Sequence, residues 1–218
     1  MTCRIGINGF GRIGRMVLRR TLTLPDVEVV AVNDLARLGD LAYLLKYDSV
    51  HGLFPGEVTD EEQSLRVNGT ALQFSSEREP AKIPWGQVGV DVVIESTGAL
   101  RGRKDATGHL QAGARKVLIS APSDDVDVTI VPGVNDTQYD CTRHHVLSMA
   151  SCTTNSLAPV AKVLQERFGI VHLFITKSAE KPRHSCRGWI GVGRAGLNAQ
   201  EPNKTYAVPE PSMGEGTA

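Results

Sequence analysis

The chain has 218 residues, and its 24 lysines and arginines balance 24 aspartates and glutamates, so its formal net charge is zero. A balanced charge argues against a protein that binds nucleic acid or a membrane surface through a basic excess, and we expect neither partner. With 41% hydrophobic and 22% charged residues, the composition is that of a soluble globular protein and not of a disordered chain.

The cysteines carry no metal or disulfide signature, since Cys3, Cys141, Cys152 and Cys186 include no CxxC pair. We therefore expect neither a disulfide framework nor a zinc site, and no metal. The N-terminus has no apolar stretch typical of a signal peptide, and no run of about 18 apolar residues predicts a membrane span. The expected compartment is the reducing cytoplasm.

Apolar patterning predicts alternating strands and helices along the first 170 residues. Strands are predicted at 4–8, 27–33, 90–95, 115–120, 127–131 and 146–149, with a hairpin at 65–74 around Asn68-Gly69. Helices are predicted at 12–22, 38–47, 103–114 and 153–168. This alternation indicates an α/β fold with a mostly parallel sheet and helices on both faces.

A glycine-rich loop joins the first strand to the first helix. Gly9, Gly11 and Gly14 form a GxGxxG motif, and Asp34 follows Gly14 by twenty residues at the end of the next strand. This arrangement is typical of a dinucleotide site, in which the loop admits the pyrophosphate and the acid binds the adenosine ribose. An acid at this position favours NAD over NADP. The alternative is that the glycines only form a tight turn and Asp34 caps the next helix.

Cys152 lies where a short apolar segment meets an amphipathic helix. The positive end of a helix dipole favours a thiolate, and a cysteine nucleophile also needs a general base, usually a histidine. The neighbouring Ser151, Thr153, Thr154 and Asn155 could hold an oxyanion or a phosphate oxygen. The residue type alone favours the alternative of a small buried cysteine at a helix start, because unpaired cysteine is among the most buried residue types.

Together these segments closely resemble the phosphorylating glyceraldehyde-3-phosphate dehydrogenases, from residue 2 to about residue 172. The matching segments, in the family's order and spacing, are GINGFGRIGR (6–15), VND (32–34), LLKYDSVHG (44–52), ESTG (95–98), SAPS (120–123), PGVN (132–135) and MASCTTNSLAPVAKVL (149–164). A semialdehyde dehydrogenase, another cysteine-dependent NAD enzyme, fits LLKYDSVHG and ASCTTN less well.

The resemblance implies a glycolytic oxidoreductase that converts an aldehyde to an acyl phosphate with NAD and inorganic phosphate. Cys152 would attack the aldehyde carbon, hydride would pass to the nicotinamide, and phosphate would cleave the thioester. It further implies cofactor contacts from nine residues, namely Phe10, Gly11, Arg12, Ile13, Asp34, Arg78, Thr97, Gly98 and Ser120. Ser151 and Thr153 would line the substrate and phosphate pocket.

The resemblance also implies an organisation into a Rossmann-type NAD-binding domain at 1–150 and the start of an α+β catalytic domain at 151–172. Residues 173–218 form a divergent tail, rich in glycine and proline, in which Ala179 occupies the position of the family's catalytic histidine. We expect a truncated product with little or no turnover. We also expect the apolar face of the last helix, Leu157, Val160 and Leu164, to lack its packing partner.

Two further functions remain open. The chain could be a non-catalytic NAD-binding module, or a redox-reactive thiol protein in which Cys152 is oxidised or modified. Family members are homotetramers that assemble largely through the catalytic domain, so the divergent tail argues against a tetramer here.

Overall fold

The structure, a computed structural model, describes residues 2–62 and 64–173. This part of the chain contains the strands β1 (Cys3–Asn8), β2 (Val27–Asn33), β3 (Tyr47–Asp48), β4 (Gly52–Leu53), β5 (Val58–Glu61), β6 (Ser64–Val67), β7 (Thr70–Ser75), β8 (Val92–Glu95), β9 (Lys116–Ile119), β10 (Val128–Thr129) and β11 (Val146–Ser148). Its α-helices are α1 (Arg12–Thr21), α2 (Leu38–Lys46), α3 (Trp85–Val88), α4 (Arg103–Gln111) and α5 (Cys152–Phe168).

Nine of these strands form one sheet in the order β10-β11-β9-β8-β1-β2-β7-β6-β5. All pairs from β10 to β7 are parallel, and only β5-β6 and β6-β7 are antiparallel. The prediction of an α/β fold with a mostly parallel sheet is therefore confirmed.

The two faces of the sheet pack against different helices. On one face, Ile7 of β1 lies in a cluster with Leu18 of α1 and Leu45 of α2. On the other face, Val93 of β8 packs with Trp85 of α3. Ala106 of α4 belongs to a third buried cluster with residues of β9 and β11. The burial of apolar side chains on both faces is why β2 and β8 are nearly continuous apolar runs.

The hairpin predicted around Asn68-Gly69 is present. Val67 pairs with Thr70 across the turn, and Asn68 and Gly69 have φ angles of 50° and 80°. A type I′ turn requires positive φ at both central residues, which asparagine and glycine tolerate best.

None of the helices in the described ranges is both long and apolar enough to cross a membrane. Across 2–62 and 64–173, the histidine, cysteine and acidic side chains form no group of three or more that could hold a metal ion.

Asp127 links the start of β11 to Arg103 of α4 through hydrogen bonds. These bonds make the stability of the fold depend on pH. Burial opposes ionisation, but N–H donation from Val146, the Arg103 guanidinium and N–H donation from His145 lower the pKa of Asp127 to about 2. The stabilisation is complete above the carboxyl's ordinary pKa of 3.8 and is lost as the pH falls towards 2.

We expect Asp127→Asn to lower the free energy of unfolding by about 2 kcal/mol at neutral pH. The variant should also lose much of the pH dependence of stability between pH 4 and pH 2, measured by denaturant titration. Asp125→Asn is the matched control, because Asp125 binds the same Arg103 but is 72% exposed. Equal losses in the two variants would show that the backbone contacts of Asp127 contribute nothing.

Candidate functional site

The residues singled out in the sequence gather along one edge of the sheet. Parallel strands place their carboxyl ends at the same edge, and β11, β9, β8, β1, β2 and β7 are consecutive neighbours. The segments that follow these strands contain, in that order, Cys152, Ser120, Thr97, Gly9 to Ile13, Asp34 and Arg78. At about 4.8 Å between strands, the edge from β11 to β2 measures about 19 Å.

The middle of this edge is a topological switch point. The chain leaves β1 towards β2 on one side, while β8 lies on the other side of β1. In open α/β sheets such a point opens a crevice at the carboxyl ends of the strands, where ligands bind. The glycine loop after β1 lies in this crevice.

Each glycine of the loop has a different geometry. A Cβ on Gly9, whose φ is +89°, would lie 2.6 Å from the backbone nitrogen of Thr97. A Cβ on Gly14 would lie 2.3 Å from the carbonyl oxygen of Gly9. A Cβ on Gly11 would meet no atom within 4 Å, because Gly11 is exposed at the N-cap of α1. Gly9 and Gly14 are therefore packing positions, whereas Gly11 faces open space in front of the helix N-terminus.

Asp34 is bound to this loop and does not cap α2. Its Oδ2 accepts a hydrogen bond of 2.6 Å from the backbone N–H of Phe10, and its Oδ1 accepts one of 2.8 Å from Ala36. The N-cap of α2 is Arg37, so the capping alternative is wrong. A half-buried carboxylate next to the glycine loop keeps free lone pairs for hydroxyl groups of a ligand.

The remaining residues of the loop and the β7 segment differ in exposure. Phe10 is completely buried, its N–H donates to Asp34 and its carbonyl accepts from Arg15, so this structure does not expose the cofactor contact predicted for it. Arg12 and Arg78 are exposed, and Ile13 is 48% exposed. Arg12 and Ile13 thus present side chains at the first turn of α1.

Thr97, Gly98 and Ser120 lie on the other side of β1. The N–H and hydroxyl of Thr97 both donate to Glu95, and Gly98 follows with a φ of 73°. Ser120 is half-buried, and its N–H donates to the carbonyl of Glu95 at 3.0 Å.

A strained turn leads from β11 to Cys152. Ala150 has a φ of 58° and is buried, a conformation that costs a non-glycine residue about 1–2 kcal/mol. Its N–H donates to Ser148 Oγ at 3.0 Å, and Asn155 Nδ2 donates to the carbonyl of Met149 at 2.6 Å. These contacts hold the strained turn and so direct the start of α5.

Three hydroxyl groups surround the N-terminus of α5. Ser151 is the N-cap and accepts the N–H of Thr154, while its Oγ lies 2.8 Å from Thr153 Oγ1 and 2.7 Å from Thr154 Oγ1. The N–H groups of Thr154 and Asn155 donate to Ser151. Those of Cys152 and Thr153 have no partner within the described ranges and could bind a ligand. Hydroxyls and free N–H groups at a helix N-terminus suit an anion.

Cys152 is exposed at this N-terminus, which contradicts the alternative of a small buried cysteine. Within the described ranges, no histidine is hydrogen-bonded to it. His172 lies beyond the other end of α5, whose residues 152 and 168 are about 24 Å apart at about 1.5 Å per residue. His184 and Ala179 lie outside the described residues.

The sequence did not reveal a buried polar network behind this edge. Asn8, Asn33 and Glu95 are each the last residue of an apolar strand, and all three are at most 3% exposed. His109 of α4 joins them and is completely buried. The available signal was a polar residue ending each of three buried strands.

Comparison with known proteins identifies the family of two segments. The sequence model described as "Glyceraldehyde 3-phosphate dehydrogenase, NAD binding domain" matches residues 3–103. The model of the same family's C-terminal domain matches residues 151–209, which extends past residue 172, where the recognisable motifs end.

Curated relatives carry the same name. Glyceraldehyde-3-phosphate dehydrogenase of Geobacillus stearothermophilus is 57% identical over 176 residues, which cover 81% of this chain and 52% of the relative. Glyceraldehyde-3-phosphate dehydrogenase 1 of Bacillus subtilis is 57% identical over 170 residues, 78% of this chain and 51% of the relative. The enzyme of that name from Thermotoga maritima is 54% identical over 175 residues, 79% of this chain and 52% of the relative. The chain thus spans about half the length of these relatives.

Proposed function

Because this chain belongs to the glyceraldehyde-3-phosphate dehydrogenase family, we propose that it binds NAD along the carboxyl edge of its sheet and presents Cys152 as a nucleophile there. The observation that carries this proposal is the alignment of the glycine loop, Asp34, Thr97, Ser120 and Cys152 along one edge. An elongated dinucleotide on this edge would have its ribose end at Asp34 and its reactive end towards Cys152.

The residues present fit the cofactor. The open space in front of Gly11 admits a pyrophosphate to the N-terminus of α1, where Arg12 adds positive charge. Asp34 offers carboxylate oxygens to the adenosine ribose, with Arg78 beside the adenine. Thr97, Gly98 and Ser120 would follow the dinucleotide towards Cys152, and the carboxylate of Asp34 would repel a 2′-phosphate.

Cys152 would act on an aldehyde substrate. Its sulfur adds to the aldehyde carbon to give a thiohemiacetal, whose oxygen lies near the hydroxyls of Ser151 and Thr153. The adduct would become a thioester by losing a hydride from its carbon to bound NAD and its hydroxyl proton to solvent. Inorganic phosphate held at the helix N-terminus then attacks the thioester carbon, releases the acyl phosphate and returns the thiolate.

The proposed partners are thus a small aldehyde, inorganic phosphate and NAD, and the proposed compartment is the cytoplasm. The activity is the oxidative phosphorylation of the family, as in glycolysis. A second candidate is an NAD-binding module without turnover. It is favoured by the absence, within 2–62 and 64–173, of a histidine hydrogen-bonded to Cys152, because loss of a general base costs about 10²–10⁴-fold in rate.

Isothermal titration with NAD, and with NADP as the comparison, tests the cofactor. We expect NAD to bind clearly more tightly than NADP. Asp34→Ala should weaken NAD by about 10–100-fold, since hydrogen bonds to a charged group are lost. It should also reduce the preference for NAD, because the repulsion of the 2′-phosphate is removed.

Asp26→Ala is the matched control, because it makes the same change at an exposed aspartate just before β2, at the opposite edge of the sheet. Its NAD affinity should equal that of the unaltered chain. No heat with either cofactor, or an unchanged preference in Asp34→Ala, would contradict the proposed site.

A further inference from the structure

Glu95, the last residue of β8, is a carboxylate that is 2% exposed and surrounded by donors. Its Oε2 accepts from Asn8 Nδ2 at 2.6 Å and from His109 Nε2 at 3.1 Å. Its Oε1 accepts from the N–H and the hydroxyl of Thr97. Both carboxyl oxygens of Glu95 therefore act as acceptors in this arrangement.

The hydrogen bonds of His109 show which of its ring nitrogens donates to Glu95. His109 Nδ1 accepts a hydrogen bond of 3.0 Å from Trp85 Nε1, and an indole nitrogen can only donate. The single proton of the neutral ring therefore lies on Nε2 and is donated to Glu95. Within the described ranges, no lysine or arginine forms an ion pair with Glu95, so its carboxyl group is held by hydrogen bonds alone.

The network continues from Asn8 to the end of the next strand. Asn8 Oδ1 accepts from Asn33 Nδ2 at 2.8 Å, and Asn33 Oδ1 accepts from the backbone N–H of Glu77 and from Ser75 Oγ, both at 2.8 Å. Backbone N–H groups, of Thr97 at one end and Glu77 at the other, cannot become acceptors. The orientation of both amides is therefore consistent only with an acceptor at residue 95.

We propose that Glu95 is the positioning residue of the cofactor site, a buried acceptor that fixes the three segments on which NAD would lie. Asn8 precedes the glycine loop, Asn33 precedes Asp34, and Thr97 lies in the third segment. Thr97 Oγ1, turned by its bond to Glu95, accepts the N–H groups of Ala99 and Leu100 at 3.2 and 3.3 Å. This inference rests on the proposed NAD-binding function.

Glu95→Gln tests the proposal, because it keeps the shape of the side chain and replaces one acceptor with a donor. The new amide nitrogen would face the donors of either Asn8 and His109 or Thr97. Turning over the side-chain amide of Asn8 or of Asn33 would not remove this conflict between donors. We expect NAD affinity, measured by isothermal titration well below the melting temperature, to fall at least tenfold. Val93→Ala, a buried position on the same strand, should lower the melting temperature and change NAD affinity less than twofold.

A double variant that moves the carboxylate from position 95 to position 8 distinguishes a positioning role of Glu95 from a packing role. Asn8→Asp alone brings two carboxylates together and should also weaken NAD at least tenfold. When Asn8→Asp is combined with Glu95→Gln, the new amide at position 95 donates to the new carboxylate at position 8, which also accepts from Asn33. His109 Nε2, which lies 3.5 Å from Asn8 Nδ2, can then donate to the new carboxylate. We expect NAD affinity within about threefold of the unaltered chain, an energetic coupling that a double-mutant cycle measures.

The outcomes separate the two claims. If the unaltered chain does not bind NAD, the proposed function fails, and the cofactor role of Glu95 fails with it. If the unaltered chain binds NAD but Glu95→Gln binds it equally well, or if the double variant is no better than the single variants, only the positioning role is overturned. Should Glu95→Gln fail to fold, the double variant must fold and bind NAD, and its failure to do so overturns the proposal.

Discussion

Gly14→Ala is expected to lower the free energy of unfolding by at least about 3 kcal/mol, because the added methyl group would overlap buried atoms. The added Cβ would lie 2.3 Å from the carbonyl oxygen of Gly9 and 3.0 Å from the side chain of Ile7. Both contacts join α1 to the end of β1, so neither side can move without separating helix and sheet. The gain in helix propensity on replacing glycine, about 1 kcal/mol, is too small to compensate.

Gly11→Ala is the matched control, since it makes the same chemical change three residues earlier. Its Cβ meets nothing within 4 Å, and its φ of −68° suits alanine. We expect a loss of stability of about 1 kcal/mol or less, from the weaker N-cap. NAD affinity should nevertheless fall at least tenfold, because the methyl group occupies the space proposed for the pyrophosphate.

The free energy of unfolding, from denaturant titration, and the NAD affinity, from isothermal titration, would be measured for both variants. The expected pattern is lost stability in Gly14→Ala, and retained stability with lost NAD binding in Gly11→Ala. Normal NAD affinity in Gly11→Ala would contradict the placement of the pyrophosphate at the N-terminus of α1.

Turnover by this chain is expected to be about 10²–10⁴-fold slower than that of a full-length relative, the range associated with loss of a general base. The measurement is NADH formation from an aldehyde with inorganic phosphate, followed by absorbance. The physical reason is that no histidine of the described ranges is hydrogen-bonded to Cys152, and His172 lies beyond the far end of the helix that Cys152 begins. The four residues from the end of α5 to His172 extend at most about 14 Å, which leaves a gap of about 10 Å to Cys152.

Cys152→Ser should abolish even this residual rate. Cys141→Ser is the control, because Cys141 is also exposed but lies outside the proposed site, and its rate should be unchanged. A rate close to that of a full-length relative would refute the low-turnover expectation. An equal residual rate in Cys152→Ser would refute the role of Cys152.

Strands with long apolar runs were predictable from local pattern. The strand at 27–33 has the predicted bounds, and the Asn68-Gly69 turn has the predicted geometry. The four-residue helix Trp85–Val88 and strand Val58–Glu61 were missed. A single turn is too short for helical periodicity, and β5 shows no alternation, with one buried residue followed by three exposed ones.

The candidate site was predictable to the extent that each residue follows a strand. Parallel strands bring these residues to one edge whatever the details of packing, so the motifs alone indicate a common site. Contacts between distant elements carry no such signal. The pairing of Glu95 with His109 depends on how α4 packs on the sheet, and the positive φ of Ala150 depends on its neighbours Ser148 and Asn155.

Cys152 begins a helix that the core of the described ranges supports poorly. None of the 17 residues of α5 is buried. Of the three apolar residues expected to lack a packing partner, Val160 is 38% exposed, whereas Leu157 and Leu164 are half-buried. Pro159 inside the helix also lacks the N–H that would bond to Asn155. A helix of this length is marginal without tertiary packing. Its amides should therefore exchange with deuterium far faster than those of β1 or β8, and whatever covers α5 would set how often the nucleophile holds its reactive geometry.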